Sequence, residues 1–248
     1  MKLLNTLHVL TSLLFVATAE RGEHRQLRNR NRARSSKSDE SPTKTTFARR
    51  SRTRTLTLTI TNESFNQPFS PYFVMVHNSD AEPLYVRGQQ ANEPLALLAE
   101  NGSPDSLVDY YTNIQNDGVL SVMPFSEGAP YVGGESLQLE VEVSSAYPLV
   151  TIATMAINTN DCFTALNGMR LYPGQVVDVP GLDAGSEENN ESCNSIPGPG
   201  CAEISTENVR SGNGEGFVHV HRGFFGIGDL PDASRYDWRN PMMRIVVS

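Results

Sequence analysis

Lysine is absent from this 248-residue chain after Lys44. Residues 55–248 hold seven Arg against 24 Asp and Glu, a net charge of −17, while residues 1–54 carry +9, so the formal −8 averages two opposite segments. An acidic body of this kind excludes a polyanion-binding surface over most of the chain, and nucleic acid with it. Long apolar runs are also missing: nothing after the N-terminal segment reaches 18 apolar residues, so no membrane span is expected. The common catalytic signatures are lacking too. There is no Gly-x-Ser-x-Gly elbow, no His-Glu-x-x-His and no P-loop. Gly212, Gly214 and Gly216 form Gly-x-Gly-x-Gly, but the third glycine is misplaced for a dinucleotide fingerprint and no strand-to-helix pattern surrounds it.

What is present begins with export. Residues 1–19 predict a signal peptide: Lys2 is positively charged, residues 3–15 are mainly apolar, and Ala17-Thr18-Ala19 is a small-x-small cleavage pattern. Residues 20–54 are rich in Arg, Ser, Thr, Asn and Lys with Phe47 as their one aromatic, and predict a disordered basic arm. Arg49-Arg50-Ser51-Arg52 suits proteases specific for basic residues, so the arm is either a removed propeptide or a retained tail that grips acidic polysaccharide. Residues 55–248 then form one domain.

Of three cysteines, Cys193 and Cys201 enclose the turn-rich Asn-Ser-Ile-Pro-Gly-Pro-Gly. In an oxidising compartment they are expected to pair, which stabilises by roughly 2–3 kcal/mol for so short a loop. Cys162 is left over and reads as a small buried hydrophobe, with intermolecular pairing as the less favoured alternative. Asn62, Asn101 and Asn190 head N-glycosylation sequons, which matter in a eukaryotic source.

The domain has a β rhythm. Leu56, Leu58 and Ile60 alternate with threonines over residues 55–61, and Leu137, Leu139, Val141 and Val143 alternate with polar residues in the same way. Residues 72–76, 149–157, 175–179, 217–221 and 243–247 are further β-rich runs separated by Gly, Pro, Asn and Asp clusters. Two helices are expected over residues 92–116. Asn92 caps the first, which runs to Glu100 with Pro94 in its opening turn. The second starts at Ser103 or Asp105 and reaches about Gln115, burying Leu107, Tyr110, Tyr111 and Ile114. The pattern is that of a mainly β, antiparallel sandwich with long decorated loops.

Two groups of residues could hold a metal. Asn158-Thr159-Asn160-Asp161 ends one β-run, and Asp183 and Glu187 lie four apart around Gly185, which permits a tight turn. Hard cations such as Ca²⁺ want six to eight oxygens, several of them carboxylate, and two neighbouring loops can supply them, although acidic loops are more often merely solvated. The spacing does not match an EF-hand loop. His219 and His221 share one strand face, about 6–7 Å apart, and with His77 could form a transition-metal site. Such histidines more often find ordinary hydrogen-bond partners near a sheet surface.

Taken in order, several stretches resemble the spondin domain, the module of F-spondin and mindin, in its stand-alone secreted microbial form. They are Leu56-Thr57-Leu58-Thr59-Ile60-Thr61-Asn62, Gln67-Pro68-Phe69-Ser70-Pro71, Ala153-Thr154-Met155 and Asn158-Thr159-Asn160-Asp161. Asp183-Ala184-Gly185-Ser186-Glu187, Glu191-Ser192-Cys193, Pro197-Gly198-Pro199, Gly216-Phe217-Val218-His219-Val220-His221 and Tyr236-Asp237-Trp238-Arg239-Asn240-Pro241 continue it. The resemblance implies a C2-like antiparallel β-sandwich with a Ca²⁺ site built from Asp161, Asp183 and Glu187. Two positions depart from animal spondins: Cys162 stands where they have Trp, and Glu187 where they have Asp. The resemblance also implies a secreted, non-enzymatic Ca²⁺-binding module of adhesion or the extracellular matrix, with matrix, a cell-surface protein or polysaccharide as the expected partner. The alternatives are a hydrolase or other metalloenzyme centred on His77, His219 and His221, and a polysaccharide-binding module that uses the basic arm.

Overall fold

The computed structural model describes residues 52–114, 117–127, 131–230 and 232–248; the expected signal peptide and the arm as far as Ser51 lie outside them. Two antiparallel sheets face each other. The smaller has the order β4-β1-β10-β7, from β1 (Arg54–Asn62), β4 (Ser136–Val143), β7 (Val176–Val179) and β10 (Met243–Val247). The larger has the order β3-β2-β5-β6-β8-β9, from β2 (Tyr72–His77), β3 (Val119–Phe125), β5 (Leu149–Met155), β6 (Cys162–Arg170), β8 (Gly181–Asp183) and β9 (His219–Val220). Helices α1 (Glu93–Asn101) and α2 (Asp105–Asn113) are inserted between β2 and β3. The expected β-sandwich with two short helices is what forms.

Strand periodicity explains the layering. In β1 the leucines and Ile60 turn inward and the threonines outward, with Leu58 opposite Leu139 on one side and Val247 on the other. Strand β2 is buried at every position because it is covered on both faces. Tyr72, Val74 and Val76 join Val150 and Ile152 of β5 and the inner face of the smaller sheet in one core. Phe73, Met75, Ala153 and Phe163 turn the other way onto Leu95, Leu98, Leu107 and Tyr111 of the helices. Each fully buried side chain of this size stabilises by about 1.5–3 kcal/mol. Helix α1 starts as its sequence predicts: the Asn92 side chain accepts a hydrogen bond from the Leu95 N–H at 3.0 Å, and Gly102, at φ 74°, closes the far end. Helix α2 ends at Asn113, short of the expected Gln115; Leu107 and Tyr111 are buried, whereas Tyr110 and the capping Ile114 are half-buried.

The periodicity passes over β3, β6 and β8. Strand β6 contains Asn167-Gly168, which reads as a turn. Instead Gly168, at φ 62°, sits beside a shift in register with β5, and the Asn167 amide holds the 84–85 backbone by bonds to Leu84 N–H and Tyr85 C=O. The run over 217–221 shortens to β9, because Val218 exchanges backbone hydrogen bonds with Gly88 and Gln89 rather than with β8. Arg54 belongs to the domain: it opens β1, and its guanidinium donates to the Leu171 carbonyl at 2.7 Å.

Candidate metal centre

Antiparallel pairing brings the acidic loops together at one end of the larger sheet. Strand β5 turns through residues 156–161 into β6, and β8 runs back beside β6 so that Cys162 lies opposite Asp183. The Ala184 N–H continues this ladder onto the Asp161 carbonyl at 3.1 Å. Thr159 fixes the turn, since its hydroxyl donates to the Ala156 carbonyl and accepts from the Cys162 N–H. Asp161 and Asp183 are thereby placed side by side, both fully buried.

The loop after β8 wraps these carboxylates. Asp161 Oδ2 accepts from the Ser186 N–H at 2.8 Å, the Ser186 hydroxyl at 3.2 Å and the Glu187 N–H at 3.0 Å. Asp183 Oδ1 accepts from the Gly185 N–H at 2.7 Å. Gly185 stands at φ 66°, and a Cβ there would meet the Phe217 carbonyl oxygen at 2.4 Å, so the tight turn expected at this position does require glycine. The Gly-x-Gly-x-Gly segment has a mechanical role: Asn213 bridges to Glu187, the Gly216 N–H donates to the Gly185 carbonyl, and Gly214 lies where a Cβ would strike the Gly185 backbone. Glu187 Oε1 accepts from the Ser211 N–H at 2.7 Å.

Two carboxylate oxygens are left over. Asp161 Oδ1 and Glu187 Oε2 are buried without a hydrogen-bond partner. Among the described residues no Arg or Lys forms an ion pair with Asp161, Asp183 or Glu187. Burial, followed by the neighbouring Asp183 charge, pushes the Asp161 carboxyl up to about 7. Burial likewise pushes Glu187 up to about 7 and raises Asp183 against the opposing bonds from Asn189 and Gly185. Unpaired buried charge of this kind is costly unless a cation or proton neutralises it.

A second group adjoins the first. Asp183, Glu215 and His219 place one ligand atom each within 4.8 Å of one another, so this group could hold a metal ion. His219 Nε2 lies 3.5 Å from Asp183 Oδ1 and 3.6 Å from Glu215 Oε2. Burial pulls the His219 ring down, but the Val220 carbonyl on Nδ1 and the charges of Asp183 and Glu215 outweigh it and raise the ring's pKa. No protein-family model matches the chain, and no curated protein matches it.

The three histidines do not converge. His77 lies on β2, four strand spacings from β9, or about 19 Å. Its Nδ1 contacts the Asn78 carbonyl and its Nε2 the Thr151 hydroxyl, both at 2.9 Å. His221 packs on Trp238 with ring centroids 5.1 Å apart and accepts from the Gly223 N–H, and burial pulls it down to about 4. Of the three, only His219 approaches Asp183 and Glu215.

The remaining expected positions sort by burial. Cys193 and Cys201 form a disulfide packed on Ile196 and Leu230. Cys162 is buried and free, its thiol raised first by burial and then by Asp183 and Asp161. The Asn62 amide is buried and donates to the carbonyls of Gln67 and Tyr131, packing that leaves no room for a glycan on it. Asn101 is exposed and Asn190 half-buried.

Sequence patterns gave no site role to Glu215, Asn189 or Glu191. Glu215 had a usable signal, as an acid four residues before His219 in a glycine-rich segment. Asn189 Nδ2 donates to Asp183 Oδ2 at 2.7 Å and to Glu215 Oε1 at 3.0 Å. The buried Glu191 carboxylate accepts from the N–H groups of Phe225, Gly226 and Ile227, and so holds a loop whose Phe225 and Ile227 side chains are 61% and 67% exposed.

Proposed function

We propose that the domain is a secreted, non-enzymatic Ca²⁺-binding module of spondin type that serves adhesion to extracellular matrix or a cell surface. One observation carries the Ca²⁺ reading: Asp161 Oδ1 and Glu187 Oε2 are buried without a hydrogen-bond partner. Carboxylate oxygens suit a hard cation, and in this reading Asp161 and Asp183, which interact directly, would hold it, with Glu187, whose carboxyl is flanked by Arg210 and Glu100, as the third ligand. An ion there would supply positive charge to Asp161, which forms no ion pair with an Arg among the described residues. Its structural consequence is to pin the 156–161 turn to the 183–187 loop, which already share the hydrogen bonds to Asp161 Oδ2.

Secretion is supported by the Cys193–Cys201 disulfide and by the signal-peptide pattern of residues 1–19. No helix among the described residues is long and apolar enough to cross a membrane. A metalloenzyme centred on three histidines is disfavoured because His77 and His221 have their own partners away from His219. Binding of polysaccharide through the basic arm stays a separate proposal, tested by deleting residues 20–51 and measuring retention on an acidic polysaccharide.

Extracellular Ca²⁺ sites bind at about 10⁻⁴–10⁻³ M. At ten times its dissociation constant Ca²⁺ stabilises the fold by about 1.4 kcal/mol. The melting temperature is therefore expected to rise on replacing chelator by millimolar Ca²⁺, and not to rise in Asp183→Asn. Equal wild-type melts in Ca²⁺ and chelator refute the reading.

A further inference from the structure

We propose that Asp183, Glu215 and His219 form a second cation site, beside the oxygen-only one, that takes a borderline transition ion such as Zn²⁺. The environment of His219 Nε2 points to it. The other ring nitrogen, Nδ1, lies 3.0 Å from the Val220 carbonyl, an acceptor that only an N–H can approach. In the neutral ring, Nε2 therefore presents a lone pair. That lone pair is buried, has no hydrogen-bond partner, and points between two carboxylate oxygens at 3.5 and 3.6 Å. These separations are too long for good hydrogen bonds. They are close to the spacing of ligands around a tetrahedral zinc ion, since donors about 2.0–2.2 Å from the metal stand about 3.4 Å from each other.

The surroundings are those of a built site rather than a chance cluster. The Val220 carbonyl sets the tautomer and ring orientation, as an outer-shell acceptor does for a metal-bound imidazole. Asn189 spans the two acids from behind. It donates to Asp183 Oδ2 and Glu215 Oε1, so Glu215 Oε2 faces the histidine, together with Asp183 Oδ1, which has a second lone pair beyond the one that accepts from the Gly185 N–H. The Phe217 ring packs against the imidazole with centroids 5.2 Å apart. The side chains of Glu215 and His219 retain 35% and 17% exposure, which gives an ion access from solvent and leaves room for water as a fourth ligand. A nitrogen donor with two carboxylates favours an imidazole-binding ion over Ca²⁺, which takes oxygen. The inference does not rest on the Ca²⁺ reading, although Asp183 belongs to both sites.

Cobalt(II) is the probe, because its visible absorption reports low-coordinate geometry and Zn²⁺ silences it by displacement. The chelator-stripped full chain is titrated with Co²⁺ at pH 7.5, and the product is back-titrated with Zn²⁺. One Co²⁺ per chain with intense visible bands, removed by one Zn²⁺, is expected. His219→Ala and Glu215→Gln should each weaken binding by more than about 100-fold, and Asn189→Ala by about 10–100-fold. Glu215 is partly exposed, so its variant keeps the proposal testable if His219→Ala misfolds. Asp161→Asn should keep the cobalt spectrum while losing the Ca²⁺ response, which separates the two sites. Absence of bound Co²⁺ or Zn²⁺ overturns the proposal, as does a spectrum unchanged by Glu215→Gln. So does an NMR spectrum in which the His219 ring stays doubly protonated at pH 7.5 with excess Zn²⁺ present.

Discussion

Replacing Asp161 by Asn should stabilise the domain in chelator and destroy its response to Ca²⁺. Without a cation, the Asp161 carboxyl is held in the folded state at about 7 against an ordinary 3.8. The folded state thus binds this proton more tightly than the unfolded chain. The resulting stability is fully present below pH 3.8 and is lost as pH rises through about 7. Three pH units at 1.36 kcal/mol each give about 4 kcal/mol of destabilisation at pH 8, a large share of the about 5–15 kcal/mol of a typical domain. The amide oxygen introduced by Asp161→Asn can accept from the Ser186 and Glu187 N–H groups as Oδ2 does, without the charge. At about 2–4 °C per kcal/mol, the variant should melt roughly 8–16 °C above wild type in chelator at pH 8. The gap should shrink by about two-thirds at pH 5, where the folded wild type has taken up most of its proton. Thermal melts with and without 10 mM Ca²⁺ at both pH values decide the matter. A variant that melts at or below wild type in chelator at pH 8 refutes the reasoning, and so does a wild-type melt that is flat from pH 5 to 8.

Other outcomes rest on the same physics. His221 is held at about 4 against 6.5, so its contribution is present above pH 6.5 and is lost as pH falls towards 4. His221→Phe, which keeps a ring on Trp238, should move the acid-unfolding midpoint to lower pH. Glu191→Ala leaves the N–H groups of Phe225, Gly226 and Ile227 without their acceptor and should destabilise by about 3 kcal/mol or more, with faster hydrogen exchange confined at first to residues 225–227. Cys193→Ser combined with Cys201→Ser should lower unfolding free energy by about 2.5 kcal/mol in a denaturant titration, given a separation of eight residues.

Some of this protein was legible in its residues alone. The inward Leu56, Leu58 and Ile60 of β1 and the Asn92 cap of α1 rest on local rules, a period of two and a side chain that satisfies free N–H groups, and both appear where the residues place them. Strands β6 and β8 did not show because their signal is not local. Asn167-Gly168 has the composition of a turn, and only pairing with β5 holds it as a bulge in a strand. Three residues of β8 are too few for any period; they become a strand because β6 and β9 flank them.

The metal centre divides in the same way. Residue types and spacing alone put Asp161, Asp183 and Glu187 in two acidic loops with a glycine at the turn, because carboxylates and positive-φ positions are written in the chain. Which oxygens are left bare was decided by the fold. Asp161 Oδ1 and Glu187 Oε2 are unpartnered because the Ser186, Glu187 and Ser211 N–H groups saturate the opposite oxygens, and those donors arrive from up to 26 residues away. The same holds for the histidines. Alternation on a strand puts His219 and His221 on one face, but it cannot say that one meets Asp183 and Glu215 while the other meets Trp238, nor that His77 lies four strands away. Periodicity and charge are properties of neighbours in sequence. The partner of a buried polar atom is a property of neighbours in space, and strand order, which no local pattern encodes, chooses those neighbours.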